Sequence, residues 1–225
     1  MSAWCERLVR RASTLGAVAT LAACVSTAPC GPSGAKLAQR GWDALKTHPE
    51  CCYAFEQLSR LPLPQGSAPS SFDVDRERQT FRFGEDKAFV LMFELPVYRA
   101  PYAIRLSSLP LGCRLDAALF VPEVLMLDAR YRVTRTFDDK TLRHRGAGLE
   151  RTIFINPDNA SERYVLIHGA SRAGTTVSEI PVVSANTTIF GPLPFTFSEG
   201  EDAQAKLSTS PVGRVEVLVQ PTGEP

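Results

Sequence analysis

Few side chains in this sequence are placed for catalysis. Ser171 lies in the segment Gly-Ala-Ser-Arg-Ala, which lacks the final glycine of the G-x-S-x-G turn that exposes a nucleophilic serine. The histidines are His48, at a predicted helix start, His144, in a basic loop, and His168, at a strand end. Because a serine nucleophile needs an oriented histidine base, this scatter does not indicate a hydrolase. We therefore expect a protein that is not an enzyme and has no catalytic residues.

The carboxylates offer no better site. Acidic pairs at 73–75, 138–139 and 199–202 all lie in loop-like sequence, where solvated turn residues are the usual explanation. A glycosidase needs two carboxyl groups across a cleft, and the sequence does not place them so. The first and last clusters could bind calcium, but neither has the spacing of an EF-hand loop. We predict no cofactor and no metal.

The chemistry that the sequence does support is covalent lipidation. Arg7, Arg10 and Arg11 precede an uncharged apolar run at 12–23. A helix of that length spans about 18 Å against a hydrocarbon core of about 30 Å, so the run predicts a signal peptide at 1–23. Leu21-Ala22-Ala23-Cys24 resembles the bacterial lipobox, which implies cleavage before Cys24 and acylation of its thiol. The alternative is an ordinary signal peptide with a chance cysteine.

The anchor also predicts a location. Val25 follows the acylated cysteine where lipoproteins of the inner membrane tend to carry aspartate. The resemblance therefore implies a periplasmic protein held in the inner leaflet of the outer membrane. The mature chain would have 202 residues and a net charge of −1, so no global charge attracts nucleic acid.

Four further cysteines suggest disulfides, as is common in exported proteins; they are Cys30, Cys51, Cys52 and Cys113. Adjacent cysteines rarely reach standard disulfide geometry, least of all in a helix. We therefore expect Cys30 to pair with one member of the Cys51-Cys52 dipeptide and Cys113 with the other. Free buried thiols and a metal site are the alternatives.

The N-terminal part of the mature chain predicts a tether and two helices. Residues 24–34 are rich in Ser, Pro and Gly, which is typical of a flexible tether. A helical hairpin follows at 35–64. Ser33 would cap its first helix, and the segment Thr47-His48-Pro49-Glu50 resembles a capping box that begins a second helix. The apolar stripes of the two helices are Ala35, Ala38, Trp42 and Leu45, and Cys51, Phe55 and Leu58.

The rest of the chain, at 71–220, predicts a mainly β fold. Apolar and polar residues alternate in a series of short segments, and 88–95 is apolar on both faces, as in a central strand. Without crossover helices, this pattern favours an antiparallel β-sandwich or jelly roll over a parallel sheet. A turn is expected at Asp128-Ala129, a bulge or sheet edge at Pro122, and a long loop at Gly191–Pro211.

Two sets of side chains are candidates for a ligand or partner surface. Arg143 and Arg145 lie in the basic segment 130–151, which predicts either an anion site or a solvated strand face. Tyr98, Phe195 and Phe197 fall outside regular alternation and could form a stacking platform for a saccharide, as could Tyr102 and Tyr131. The alternative is that these aromatic residues are buried at sheet edges.

Several phrases resemble the maltose-operon periplasmic protein family. In order, they are Cys51-Cys52 with Leu61-Pro62, Phe81–Glu85, Phe93–Pro96, Phe120–Asp128, Glu162–Ile167 and Pro211–Val215. The resemblance covers most of 51–219 and implies export and an association with maltodextrin transport. That family has no defined catalytic residues to carry over. The lipobox of this chain is a departure from a freely soluble periplasmic protein, because it predicts a membrane anchor.

These observations leave three functions open. The first is a non-enzymatic accessory lipoprotein that binds a saccharide or an envelope protein partner and is linked to maltodextrin transport. The second is a structural or stress-related envelope lipoprotein with no small-molecule ligand. The third is an enzyme, such as a glycosidase. In all three, the lipid anchor makes the membrane a partner.

Overall fold

The computed structural model describes residues 31–113, 115–145, 148–170, 174–190 and 193–222, with 175–190 and 193–203 described by their backbone only. The predicted signal peptide, Cys24, Cys30 and Ser171 lie outside these residues. Within the described ranges, one α-helix precedes a series of strands. They are α1 Gly34–Thr47, β1 Arg60–Pro62, β2 Ser70–Val74, β3 Thr80–Phe83, β4 Asp86–Glu94, β5 Tyr102–Leu109, β6 Leu111–Cys113, β7 Asp116–Phe120, β8 Pro122–Asp128, β9 Val133–Phe137, β10 Arg143–Arg145, β11 Gly148–Ile155, β12 Glu162–Gly169, β13 Thr175–Phe190, β14 Leu193–Ser210 and β15 Gly213–Pro221.

The strands form three sheets, and the mainly β prediction is confirmed. The first has the order β1-β4-β12-β8-β9, with β3 also paired to β4. The second has the order β10-β11-β5-β15-β2 and the third β13-β14-β7-β6. Neighbours are antiparallel except for the pairs β1–β4 and β14–β7, which are parallel. Pro122 marks the point where the chain leaves the third sheet and enters the first.

The main core lies between the first two sheets. Phe89, Leu91 and Phe93 of β4 point into it and are at most 2% exposed, and they pack with Ile104 and Leu106 of β5. The alternate residues of β4 belong to a second cluster on the outer face of the first sheet. β4 is therefore buried on both faces, as its apolar sequence predicts.

Helix α1 packs on the third sheet through glycines. Ser33 caps it as predicted, its Oγ accepting from the Lys36 N–H at 3.4 Å. A Cβ at Gly34 would lie 2.2 Å from the Ala117 carbonyl carbon, so the helix touches β7 backbone to backbone. Trp42 donates its indole N–H to the Thr209 carbonyl at 3.2 Å, which anchors the same helix to β14.

The predicted second helix is wrong. Residues 49–60 form an irregular segment with a β-bridge at Cys52 and a 3₁₀ turn at Phe55–Gln57. Tertiary contacts hold this chain against β3: the Thr80 hydroxyl donates to the Pro49 carbonyl at 2.8 Å, and Arg82 pairs with Glu50. Contacts of this kind override a local capping signal, because helix propensity is a weak preference.

The predicted cysteine pairing is also not observed. The structure joins Cys51 to Cys52 by a disulfide, the pairing that the sequence argument set aside. That expectation depended partly on a helix at these residues, and Cys51 and Cys52 are not helical. Cys52 instead forms a β-bridge to Phe81 and is buried, and the Gln79 side-chain nitrogen lies 3.1 Å from the Cys51 Sγ.

The long loop expected at Gly191–Pro211 is a strand over most of its length. β14 pairs with β13 in an unbroken antiparallel register from Thr175–Ser208 to Phe190–Leu193. Its composition is the reason for the wrong prediction, since Pro, Gly, Asp and Glu are depleted in strands. Pairing along the whole of β13 outweighs that preference.

Candidate functional site

The structure does not bring the predicted surface residues together. Tyr98 lies in the loop between β4 and β5, half-buried against the main core. Arg143 of β10 lies opposite Glu150 of β11 in the strand register, and Glu150 lies opposite Ser107 of β5. Ser107 is five residues along β5 from Tyr102, so Arg143 and Tyr102 are separated by roughly 16 Å along the strand direction. Phe195 and Phe197 lie on β14 opposite Thr188 and Asn186, and their side chains are outside the description.

A different tyrosine has the most unusual backbone. Tyr131 has a φ of 59°, and it is the one non-glycine residue with positive φ in the described part of the chain. For a residue with a Cβ, this left-handed conformation costs roughly 1–2 kcal/mol, and glycine or asparagine usually takes it. Strain of this kind persists only where the surroundings fix it, and it concentrates at functional sites.

Asp128 fixes the turn that holds Tyr131. Its Oδ1 accepts the backbone N–H groups of Arg130 and Arg132 at 2.8 and 3.0 Å, and its Oδ2 accepts Arg132 Nε at 2.8 Å. The bond from the Arg132 backbone is the main reason that the pKa of Asp128 lies below its usual value, although burial opposes it. The expected turn at Asp128-Ala129 is confirmed, and it extends to Arg132.

The turn places the Tyr131 ring on Tyr164 of β12. The two rings are nearly parallel, at 5°, with centroids 4.7 Å apart. Arg60 of β1 donates from Nη1 to the Tyr131 hydroxyl at 2.8 Å, and its guanidinium carbon lies 5.9 Å from the Tyr164 ring centroid. We call Arg60, Tyr131 and Tyr164 the tyrosine platform. It lies on the outer face of the first sheet, where Leu166 also points.

The electrostatics of the platform favour hydrogen-bond donation. The Tyr164 hydroxyl is the main cause that raises the pKa of Arg60, and it also raises the pKa of Tyr131. Arg60 therefore stays charged and Tyr131 stays neutral at physiological pH. Tyr53, 85% exposed, and the half-buried Phe55 lie on the chain that leads into Arg60. The arrangement combines flat apolar faces with donors at their edge.

A cleft of about 890 Å³ opens at one end of the sandwich. Its lining comes from the chain after β1, the β4–β5 loop beside Tyr98, and the end of β15. Tyr102 forms part of the lining and is 9% exposed; burial raises its pKa to about 12. We name this feature the end cleft. It is separate from the tyrosine platform, with which it shares no residue.

Three arginines of the basic segment are paired with carboxylates. Arg145 pairs with Glu150 at 3.3 Å, and Arg132 and Arg135 pair with Asp128 and Glu162. Arg151 is buried, with a pKa lowered chiefly by that burial, and it donates to the Thr141 hydroxyl at 2.7 Å. Arg143 lines a cavity of about 450 Å³ beside it. The anion site at Arg143 and Arg145 stays a prediction.

The histidine with a carboxylate neighbour is a packed side chain. His168 is 7% exposed, stacks on Phe83 at 4.2 Å and donates from Nδ1 to the Gly169 carbonyl at 3.1 Å. Its Nε2 lies 3.8 Å from Glu123. Burial lowers the pKa of His168 and raises the pKa of Glu123. Among the residues described, no group of three or more His, Cys, Asp or Glu side chains could hold a metal ion.

Comparisons with protein-family models, with curated proteins and with solved structures find no match to this chain. The resemblance to the maltose-operon periplasmic protein family therefore stays a prediction. In the described part of the chain, no helix is long and apolar enough to cross a membrane.

Sequence reasoning found only part of the platform. Tyr131 was a secondary candidate for stacking, but Tyr164 and Arg60 were not candidates. The available clue was a tyrosine three residues after Asp128, at a hairpin position that usually takes glycine or asparagine.

Proposed function

We propose that this chain is an exported lipoprotein, anchored through Cys24 in the inner leaflet of the outer membrane, that binds an oligosaccharide of the maltodextrin class. It acts as a non-enzymatic accessory protein in saccharide transport. The lipobox and the leader support the location, and the resemblance to the maltose-operon family supports the ligand class.

One observation carries the binding role: Tyr131 is kept in a left-handed conformation above Tyr164. Glucose units present apolar C–H faces that stack on tyrosine rings, and hydroxyl groups at their edges. The Arg60 guanidinium, which already reaches the Tyr131 hydroxyl, supplies charged donors for those hydroxyl groups. A structural turn alone would be more stable with glycine at 131.

The direct test is equilibrium dialysis of the full chain in phospholipid vesicles against labelled maltohexaose. Vesicles replace detergent because maltoside detergents carry the same sugar. We expect saturable binding that a cello-oligosaccharide of equal length does not compete. Binding should weaken about tenfold or more in Arg60→Ala, since a hydrogen bond from a charged group contributes roughly 1.5–3 kcal/mol.

Arg130→Ala is the matched control, because Arg130 is exposed in the same turn and lies outside the platform. It should bind maltohexaose like the unaltered chain. Absence of saturable binding to any maltodextrin would refute the proposal and favour the structural envelope lipoprotein instead. Release of shorter sugars during dialysis would favour an enzyme.

A further inference from the structure

The end cleft has the size and lining of a small-molecule site. Its volume of about 890 Å³ lies within the range of about 300–1,000 Å³ that is usual for ligand pockets. The walls are mainly aliphatic, and they include Leu63, Val97 and Val219. Val97 is 66% exposed, which is high for a large apolar side chain.

Prolines shape the walls of this cleft. Pro64, Pro96, Pro101 and Pro221 all line it, and each has a φ fixed by its ring. The segments that carry them are tied to the sheets: the Leu63 N–H donates to the Glu94 carbonyl at 3.2 Å, and the Thr222 N–H donates to the Pro101 carbonyl at 3.1 Å. A cleft with walls held in this way needs little ordering to bind a ligand.

The charge of the cleft is a single cation. Arg99 is exposed at its rim and makes no ion pair or hydrogen bond within the described residues, whereas Arg82, Arg135 and Arg214 are each paired with a carboxylate. No Asp or Glu is among the described lining residues. Tyr102, the other ionisable group, stays neutral because burial raises its pKa to about 12.

We propose that the end cleft binds a free fatty acid, with the hydrocarbon chain along the aliphatic walls and the carboxylate on Arg99. A guanidinium and a carboxylate match in charge and in planar geometry, so they form paired hydrogen bonds. Burial of the hydrocarbon chain of the fatty acid supplies most of the affinity, which rises about fourfold for each methylene group. This site is independent of the saccharide site on the tyrosine platform.

Photo-crosslinking tests this proposal on the full chain in phospholipid vesicles. The probe is a 12-carbon fatty acid with a diazirine near its methyl end, and peptide mass spectrometry locates the label. We expect label within 63–67, 96–102 or 219–221. Unlabelled dodecanoic acid should compete, dodecanol should compete at least about tenfold less well, and octanoic acid less well than dodecanoic acid.

Protein variants distinguish binding in the end cleft from partition of the probe into the bilayer, because that partition is the same for every variant. Arg99→Gln should reduce the label about tenfold, Arg99→Lys should reduce it less because it keeps the charge but loses the paired hydrogen bonds, and Ala100→Trp should block the cleft. Arg40→Gln, at an exposed position of α1, is the control and should leave the label unchanged. The proposal is overturned if the label lies elsewhere, if Arg99→Gln has no effect, or if dodecanol competes as well as the acid.

Discussion

At the scale of single residues, Asp128 and Tyr131 act as a pair. The carboxylate of Asp128 accepts two backbone N–H groups and the Arg132 side chain, and it thereby closes the turn in which Tyr131 takes positive φ. The stabilisation of the turn offsets the strain at Tyr131. Charge on Asp128 should therefore matter both for stability and for the position of the ring.

Asp128→Asn tests this at different pH values. Because the folded-state pKa of Asp128 is lowered, its stabilising effect is present above the unfolded value of about 3.9 and is lost as the pH falls through the folded pKa. We expect the variant to melt at a lower temperature than the unaltered chain at pH 6, and the difference to shrink towards pH 2.5. Circular dichroism melting curves from pH 2.5 to pH 7 measure this.

Asp158→Asn, in the exposed turn Pro157–Asn159, is the matched control for this series and should melt like the unaltered chain. A difference between Asp128→Asn and the unaltered chain that stays constant over the whole pH range would contradict the role given to the carboxylate.

At the scale of elements, contact of α1 with the third sheet depends on the absence of a side chain at Gly34. Gly34→Ala should lower the free energy of unfolding by roughly 1–3 kcal/mol, because its Cβ would meet the Ala117 backbone, even though alanine favours helix. Urea denaturation measures the change. Gly31→Ala is the control, since a Cβ there has no atom within 4 Å. Equal or greater stability of Gly34→Ala would show that α1 is not packed as described.

A second prediction concerns a disulfide between the segment before α1 and the end of β6. The Pro32 carbonyl lies 3.5 Å from a Cβ built on Gly112, so the chain just after Cys30 passes the strand that ends at Cys113. With Cys51 bonded to Cys52, we expect a bond between Cys30 and Cys113. Peptide mapping without reduction should find both bonds. A Cys51 or Cys52 peptide linked to Cys113 would restore the pairing expected from the sequence.

The elements also show where sequence reasoning works. Tyr102–Leu109 is readable because buried and half-buried residues alternate along most of it, and Asp86–Glu94 because its sequence is apolar on both faces. The second helix was mispredicted because contacts distant in sequence hold residues 49–60, and β14 because pairing along β13 outweighs its composition. Arg60 and Tyr131 are 71 positions apart, and nothing local to either residue predicts their hydrogen bond.

At the scale of the whole molecule, we propose that an N-terminal lipid anchor precedes a β-sandwich with two separate ligand surfaces. The anchor predicts that cells supplied with radiolabelled palmitate will label the protein, and that the label will sediment with the outer membrane. Cys24→Ser should abolish the labelling, because acylation in the lipobox is on that thiol. Cys5→Ser is the control and should keep it, since Cys5 lies in the predicted leader. Labelled Cys24→Ser protein would contradict the anchor.

We propose that Tyr131 is retained for binding and not for folding, and Tyr131→Gly separates the two roles. Glycine removes strain of roughly 1–2 kcal/mol, which offsets part of what is lost with the ring: its stacking on Tyr164, its partly buried area and its hydrogen bond from Arg60. Melting temperature and maltohexaose binding are measured on the same preparation. We expect a melting temperature within a few degrees of the unaltered chain, with binding lost. Unchanged binding, or a collapse of stability, would contradict it.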